Sequence, residues 1–179
     1  MKITLLHPRH AAFPKFDFDW DGKRIYPVGI LGAPGDTDIA LGIIQADRQR
    51  HAVAVHPDAT VSDLDARDAG EALYDALDRT GNHLWGHTWN SAVGEIFGIN
   101  RRTTQRDRVS TNLLPPRLLM YIGYIVSAKD AFELAGLLLL LARYENAGGA
   151  DREKTEGYIR SALDFYYGER SEATMGLKF

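Results

Sequence analysis

Hydrophobic periodicity changes once along this 179-residue chain, near residue 60, and that change limits the folds open to it. Before it, short apolar runs alternate or are punctuated by turn residues; after it, apolar residues recur at three- and four-residue spacings. Residues 2–6 (KITLL) predict a short strand. Residues 16–20 alternate Phe16, Asp17, Phe18, Asp19 and Trp20, with aromatic side chains on one face and acids on the other. Asp21-Gly22 is a two-residue hairpin signal, and 23–31 (KRIYPVGIL) supplies the returning strand, with Pro27 demanding an edge or a bulge. Residues 38–46 and 51–56 predict a further antiparallel pair. Strands followed by helices imply an α+β protein.

Beyond residue 60 the pattern is helical. Ser62 can cap a helix whose apolar face is Leu64, Ala69, Ala72, Leu73, Ala76 and Leu77, broken by Gly81-Asn82. Two short helices come next, around Gly98, then a helix after Pro116 reaching Val126, one from Ser127 to about Asn146, and a last one from Asp151 carrying Tyr158, Ile159, Ala162, Leu163 and Tyr166 on one stripe. The resulting division is an antiparallel β-rich domain over 1–60, a connecting helix over 61–80, a helical domain over 81–170 and a flexible tail over 171–179. The helix at 128–146 is apolar nearly all round, which predicts a central helix covered on several sides, or contact with a second copy.

Composition narrows the chemistry. The chain has no cysteine, which excludes disulfides, thiolate metal sites and cysteine nucleophiles, and fits a reducing, cytoplasmic setting. His7, Pro8, Arg9 and His10 interrupt the N-terminal apolar run, so no secretory signal is expected. The greasiest stretch, residues 135–142, is far shorter than the ~20 residues a bilayer crossing needs. No catalytic spacing stands out, so the expectation is a non-enzyme without cofactor or metal. Asp17-x-Asp19-x-Asp21 lacks the closing Glu of a calcium loop, since Val28 stands in its place. His83 and His87 have zinc spacing and no third ligand.

Charge is uneven. Residues 1–80 hold nine Lys/Arg against thirteen Asp/Glu and 118–179 hold seven against nine, whereas 81–117 hold five against two. The positive stretch contains residues 89–109, WNSAVGEIFGINRRTTQRDRV, which predicts a helix, a turn at Gly98-Ile99-Asn100 and a second helix rich in arginine. Such a layout places its second helix in the major groove of DNA.

Phe97-Gly98-Ile99-Asn100-Arg101-Arg102-Thr103, followed by Gln105 and Arg106, resembles the Leu-Gly-Val-x-x-Arg-Thr-Val-x-Arg-Trp pattern of the Cro and phage-repressor-like helix-turn-helix family. The resemblance spans residues 84–122, with Gly94 at the close helix crossing and Leu114-Pro115-Pro116 at the exit. It implies that Asn100, Arg101, Arg102, Gln105 and Arg106 face DNA bases, with Arg108 and Arg117 on phosphates. Thr104 and Asp107 stand where the family has apolar residues facing its core. The implied function is a DNA-binding transcriptional regulator of phage or mobile-element type, binding double-stranded DNA as a homodimer. The alternative is a protein-binding, anti-defence inhibitor, for example an anti-CRISPR, that docks on a host protein and keeps the helix-turn-helix as a scaffold.

Overall fold

The structure, a computed structural model, describes residues 1–10, 19–35, 39–46, 49–149 and 151–164. The predicted strand residues 16–18, Tyr166 and the predicted tail at 171–179 lie outside the described residues.

Asp21 and Gly22 both take positive φ (49° and 69°), the pairing that a two-residue hairpin turn favours, so β2 (Asp19–Trp20) turns directly into β3 (Lys23–Leu31). With β1 (Ile3–Leu5), β4 (Ala40–Ala46), β5 (Gln49–Val55) and β6 (Val61–Asp63) they build an antiparallel sheet in the order β1-β3-β4-β5-β6, β2 pairing with β3 alone. Because β3 is internal, Pro27 resolves to a bulge: Pro27 pairs with Gly42 and Gly29 with Leu41, leaving Val28 as the extra residue. Proline has no N–H for the ladder, and the slip turns Val28 fully into the core.

The sheet is buried on both faces. Ile3, Leu5, Val28, Leu41, Ile43 and Ala52 face the helices, whereas Ile25, Ile30, Ala40, Ile44, Val53 and Val55 form a separate cluster. Alternation along β4 therefore selects which cluster a residue joins rather than which side is wet.

Helix α1 (Ala66–Trp85) starts at Asp65, whose Oδ1 accepts the N–H groups of Arg67 (3.0 Å) and Asp68 (2.9 Å). The expected cap, Ser62, belongs instead to β6. A carboxylate at the cap also complements the helix dipole, which a serine hydroxyl does less well. Nor does Gly81-Asn82 break the helix, because Gly81 is where the Trp89 ring presses on α1; a Cβ there would stand 2.5 Å from the ring. Trp89 is buried, and its indole N–H donates to Asp78 (3.0 Å).

Helices α2 (Trp89–Phe97), α3 (Arg106–Thr111) and α4 (Pro116–Val126) complete the main body. Ala69, Leu73 and Leu77 of α1, Val93 of α2, Val109 of α3 and Leu119 and Ile122 of α4 share one core with the sheet. The β-rich and helical segments of the sequence thus pack on common ground. Gly123 of α4 lets the helix close onto β1, since a Cβ would meet the Leu6 carbonyl oxygen at 2.6 Å.

Helix α5 (Ala131–Tyr144) corrects two expectations. It begins after Asp130 rather than at Ser127, which ends α4 and accepts the His7 N–H on its Oγ (3.0 Å). It is also peripheral rather than central: only Ala135 and Ala142 are buried, while Phe132, Leu137 and Leu140 are exposed. The Trp85 indole N–H donating to the Ala135 carbonyl (3.0 Å) and Arg143 paired with Glu95 (2.9 Å) hold it to the body. After a left-handed residue at Gly148, the chain enters α6 (Arg152–Asp164), which has no buried residue. No helix among the described residues is long and apolar enough to cross a membrane.

Candidate nucleic-acid interface

Gly98 closes α2 in the left-handed conformation (φ 63°, ψ 31°), and the N–H groups of Gly98 and Ile99 both donate to the Gly94 carbonyl. That ending favours glycine, since a Cβ is disfavoured at positive φ. Gly94 serves the same turn differently. A Cβ there would sit 3.0 Å from the Ile99 carbonyl oxygen, so the chain can double back tightly only over a bare backbone. Asn100 then caps the next turn, its Oδ1 accepting the Arg102 N–H at 2.9 Å.

Residues 101–111 do not form the continuous helix expected from the sequence. Arg101–Thr104 make a single 3-10 turn, Gln105 is extended (φ −72°, ψ 151°), and α3 begins only at Arg106. The side chains explain the break. In one continuous helix Thr104 and Asp107, three residues apart, would point into the core together. Thr104 is buried, but its hydroxyl donates to the Arg101 carbonyl (2.8 Å) and is satisfied locally. Asp107 has no such recourse, and an ionised carboxylate in that core would cost several kcal/mol. Extending Gln105 re-phases α3, so that Asp107 emerges into solvent with Arg108 beside it (3.8 Å) and Val109 enters the core fully buried.

The break disperses the residues that the resemblance assigns to DNA. Asn100, Arg101, Arg102 and Gln105 lie exposed on the turn and just after it. Neither Arg101 nor Arg102 forms an ion pair among the described residues. Arg106, by contrast, is turned back onto α1, donating to Asp75 (2.6 Å) with its guanidinium carbon 4.5 Å from the centroid of Tyr74. Arg108 is exposed and faces Asp107, while Arg117 lies in the first turn of α4, bordering a cavity.

That cavity, about 550 Å³, is walled by Phe97, Met120, Tyr121, Tyr124, Ile125 and Leu138, and His7 reaches it from beyond β1. The sequence signals the pair Tyr121 and Tyr124 only as residues of one helix, and nothing in it brings His7 to them. His7 packs edge-on against Tyr124 (ring centroids 5.3 Å apart); burial, then the positive charge of Arg9 and the proximity of His10, hold its imidazole below the usual histidine range. A second unforeseen residue is Arg50 of β5, which donates to the Leu113 carbonyl (2.6 Å) and Asn112 Oδ1 (3.2 Å), pinning the exit of the motif to the sheet.

His83 and His87 gather no third ligand: among the described residues no group of three metal-binding side chains occurs. No protein-family model, curated protein or solved structure matches the chain.

Proposed function

We propose that this chain is a non-enzymatic, cytoplasmic DNA-binding regulator of the phage or mobile-element kind, which acts as a homodimer through the edge formed by Asn100, Arg101, Arg102 and Gln105. The observation that carries this reading is the tight Gly94–Ile99 turn ending in two exposed arginines free of ion pairs among the described residues. The resemblance of residues 84–122 to Cro and phage-repressor-like proteins supports it. An arginine takes guanine O6 and N7 in a two-point contact, and a glutamine can do the same for adenine. With Arg106 held by Asp75, base reading falls on Arg101, Arg102 and Gln105, and phosphate contact on Arg108 and Arg117. Two copies double these edges and suit a palindromic site.

The test is fluorescence anisotropy with duplex DNA from upstream of the gene itself, over a salt series. Binding is expected to weaken steeply with salt, and Arg101→Ala and Arg102→Ala are each expected to weaken it roughly tenfold or more, the loss typical of a base-reading arginine. Absence of binding at low salt defeats the proposal. A second reading, a protein-binding inhibitor that keeps the motif as a scaffold, draws on the break at Gln105 and on the aromatic cavity directly behind the turn. Under that reading Arg101→Ala leaves partner capture intact while Tyr121→Glu abolishes it.

A further inference from the structure

A 13-residue helix is marginal alone in water, yet α6 buries no residue, and α5, the most apolar helix among the described residues, fully buries only two alanines, with Leu134 and Leu138 half-buried. The two helices touch through Tyr144 and Tyr158, whose rings meet edge-on with centroids 5.8 Å apart. They leave Phe132, Leu137 and Leu140 of α5 and Tyr158, Ile159 and Leu163 of α6 exposed. At about 200 Å² for a large aromatic side chain and somewhat less for leucine or isoleucine, the exposed fractions amount to roughly 650 Å² per copy, not far below the ~800 Å² that each partner contributes to a standard protein interface.

The glycines point to what covers this face. A mid-helix glycine costs ~1 kcal/mol relative to alanine. Gly70, Gly81, Gly94 and Gly123 are each explained by a close approach: a Cβ would meet Ser110, Trp89, the Ile99 carbonyl or the Leu6 carbonyl at 3.0 Å or less. Gly136 in α5 and Gly157 in α6 have nothing within 4 Å. Gly136 is also the middle of a ridge with i, i+4 spacing, Phe132-Gly136-Leu140, the row that interdigitates when helices pack at close range.

We infer that α5 and α6 form the self-association face of the protein, with a two-fold axis bringing Gly136 of one copy onto Gly136 of the other. Such an axis requires a self-complementary patch, and the ridge is one: the two bare glycines let the helices approach closely at the axis, with Phe132 and Leu140 of both copies packing around them. The inference rests on the two-copy part of the DNA reading and on none of its DNA chemistry. Sedimentation or light scattering of the full chain without DNA therefore tests it separately. At micromolar concentration the wild type is expected at twice the 19.9 kDa chain mass, and Leu140→Glu and Gly136→Leu are each expected at one chain mass with the circular dichroism unchanged. Gly136→Leu is the sharper variant, because on a free helix face it only raises helix propensity. A monomeric wild type, or a dimer that survives both substitutions, overturns the inference.

Discussion

The sheet-side core and helix α5 are rich in the same apolar residues and end in different environments. Leu119 and Ile122 of α4 are sealed in the core against β1 and β3, whereas Leu137 and Leu140 of α5 stand in solvent. Hydrophobicity alone therefore does not say where a helix goes; what differs is the partner surface. Around α4 and α1 the bare backbones of Gly123 and Gly70 allow contact with β1 and α3, and the bulged β3 supplies Val28. Around α5 the chain provides only a small apolar cluster of Leu84, Ile125 and Ala135, with Leu134 and Leu138 half-buried against it, a tryptophan hydrogen bond and an exposed ion pair worth ~1 kcal/mol at most.

The contrast is sharpest in truncation. Leu119→Ala is expected to cost ~2–5 kcal/mol in urea unfolding, since it empties a sealed site. Leu137→Ala, measured at a protein concentration low enough to keep copies apart, should change stability by less than ~0.5 kcal/mol. Equal losses at the two sites would mean that α5 is covered in the monomer and would erase the distinction. Helix caps repeat the comparison at smaller scale. Asp65 accepts two backbone N–H groups at the start of α1, and Asp65→Ala is expected to cost ~1 kcal/mol. Asp130 makes no side-chain capping bond at the start of α5, so Asp130→Ala should be close to neutral in the same assay.

The smallest expected effect lies where the N-terminal segment meets α4. His7 has its pKa lowered by partial burial, then by Arg9 and His10, so the unfolded chain binds the proton more readily. Its contribution thus favours the folded state above the ordinary histidine pKa of ~6.5 and turns against it as pH falls through that value. A modest drop in Tm on acidification through that range, reduced in His7→Gln, is the expected readout. A Tm difference between wild type and variant that does not change with pH would show that the His7–Tyr124 contact carries no titrating load.

The candidate interface divides along the same line between local and distant causes. Gly94, Gly98, Asn100 and Arg102 act on one another across at most eight residues, so the turn could be read directly from their types and spacing. The break at Gln105 depends on a competition between a satisfied Thr104, an Asp107 that burial would penalise and a Val109 that the core accepts, and only the assembled core decides it. Arg106 belongs to the same class. Its place in the motif points it at DNA, yet Asp75 and Tyr74, thirty-odd residues earlier, draw it onto α1.

By itself the sequence determined the α+β order, the hairpin at Asp21-Gly22, the span of β3, the bulge-or-edge constraint at Pro27 and the glycine-built turn after α2. These arise from backbone sterics, side-chain period and hydrogen bonds between near neighbours, all written in consecutive residues. Tertiary structure alone decided that sheet and helices share one core, that α3 is re-phased to expel Asp107, that His7 reaches Tyr124, and that the most apolar helix lies outside. Each of these depends on which surface meets which across the fold, and an apolar residue carries no record of its partner until the chain has closed around it.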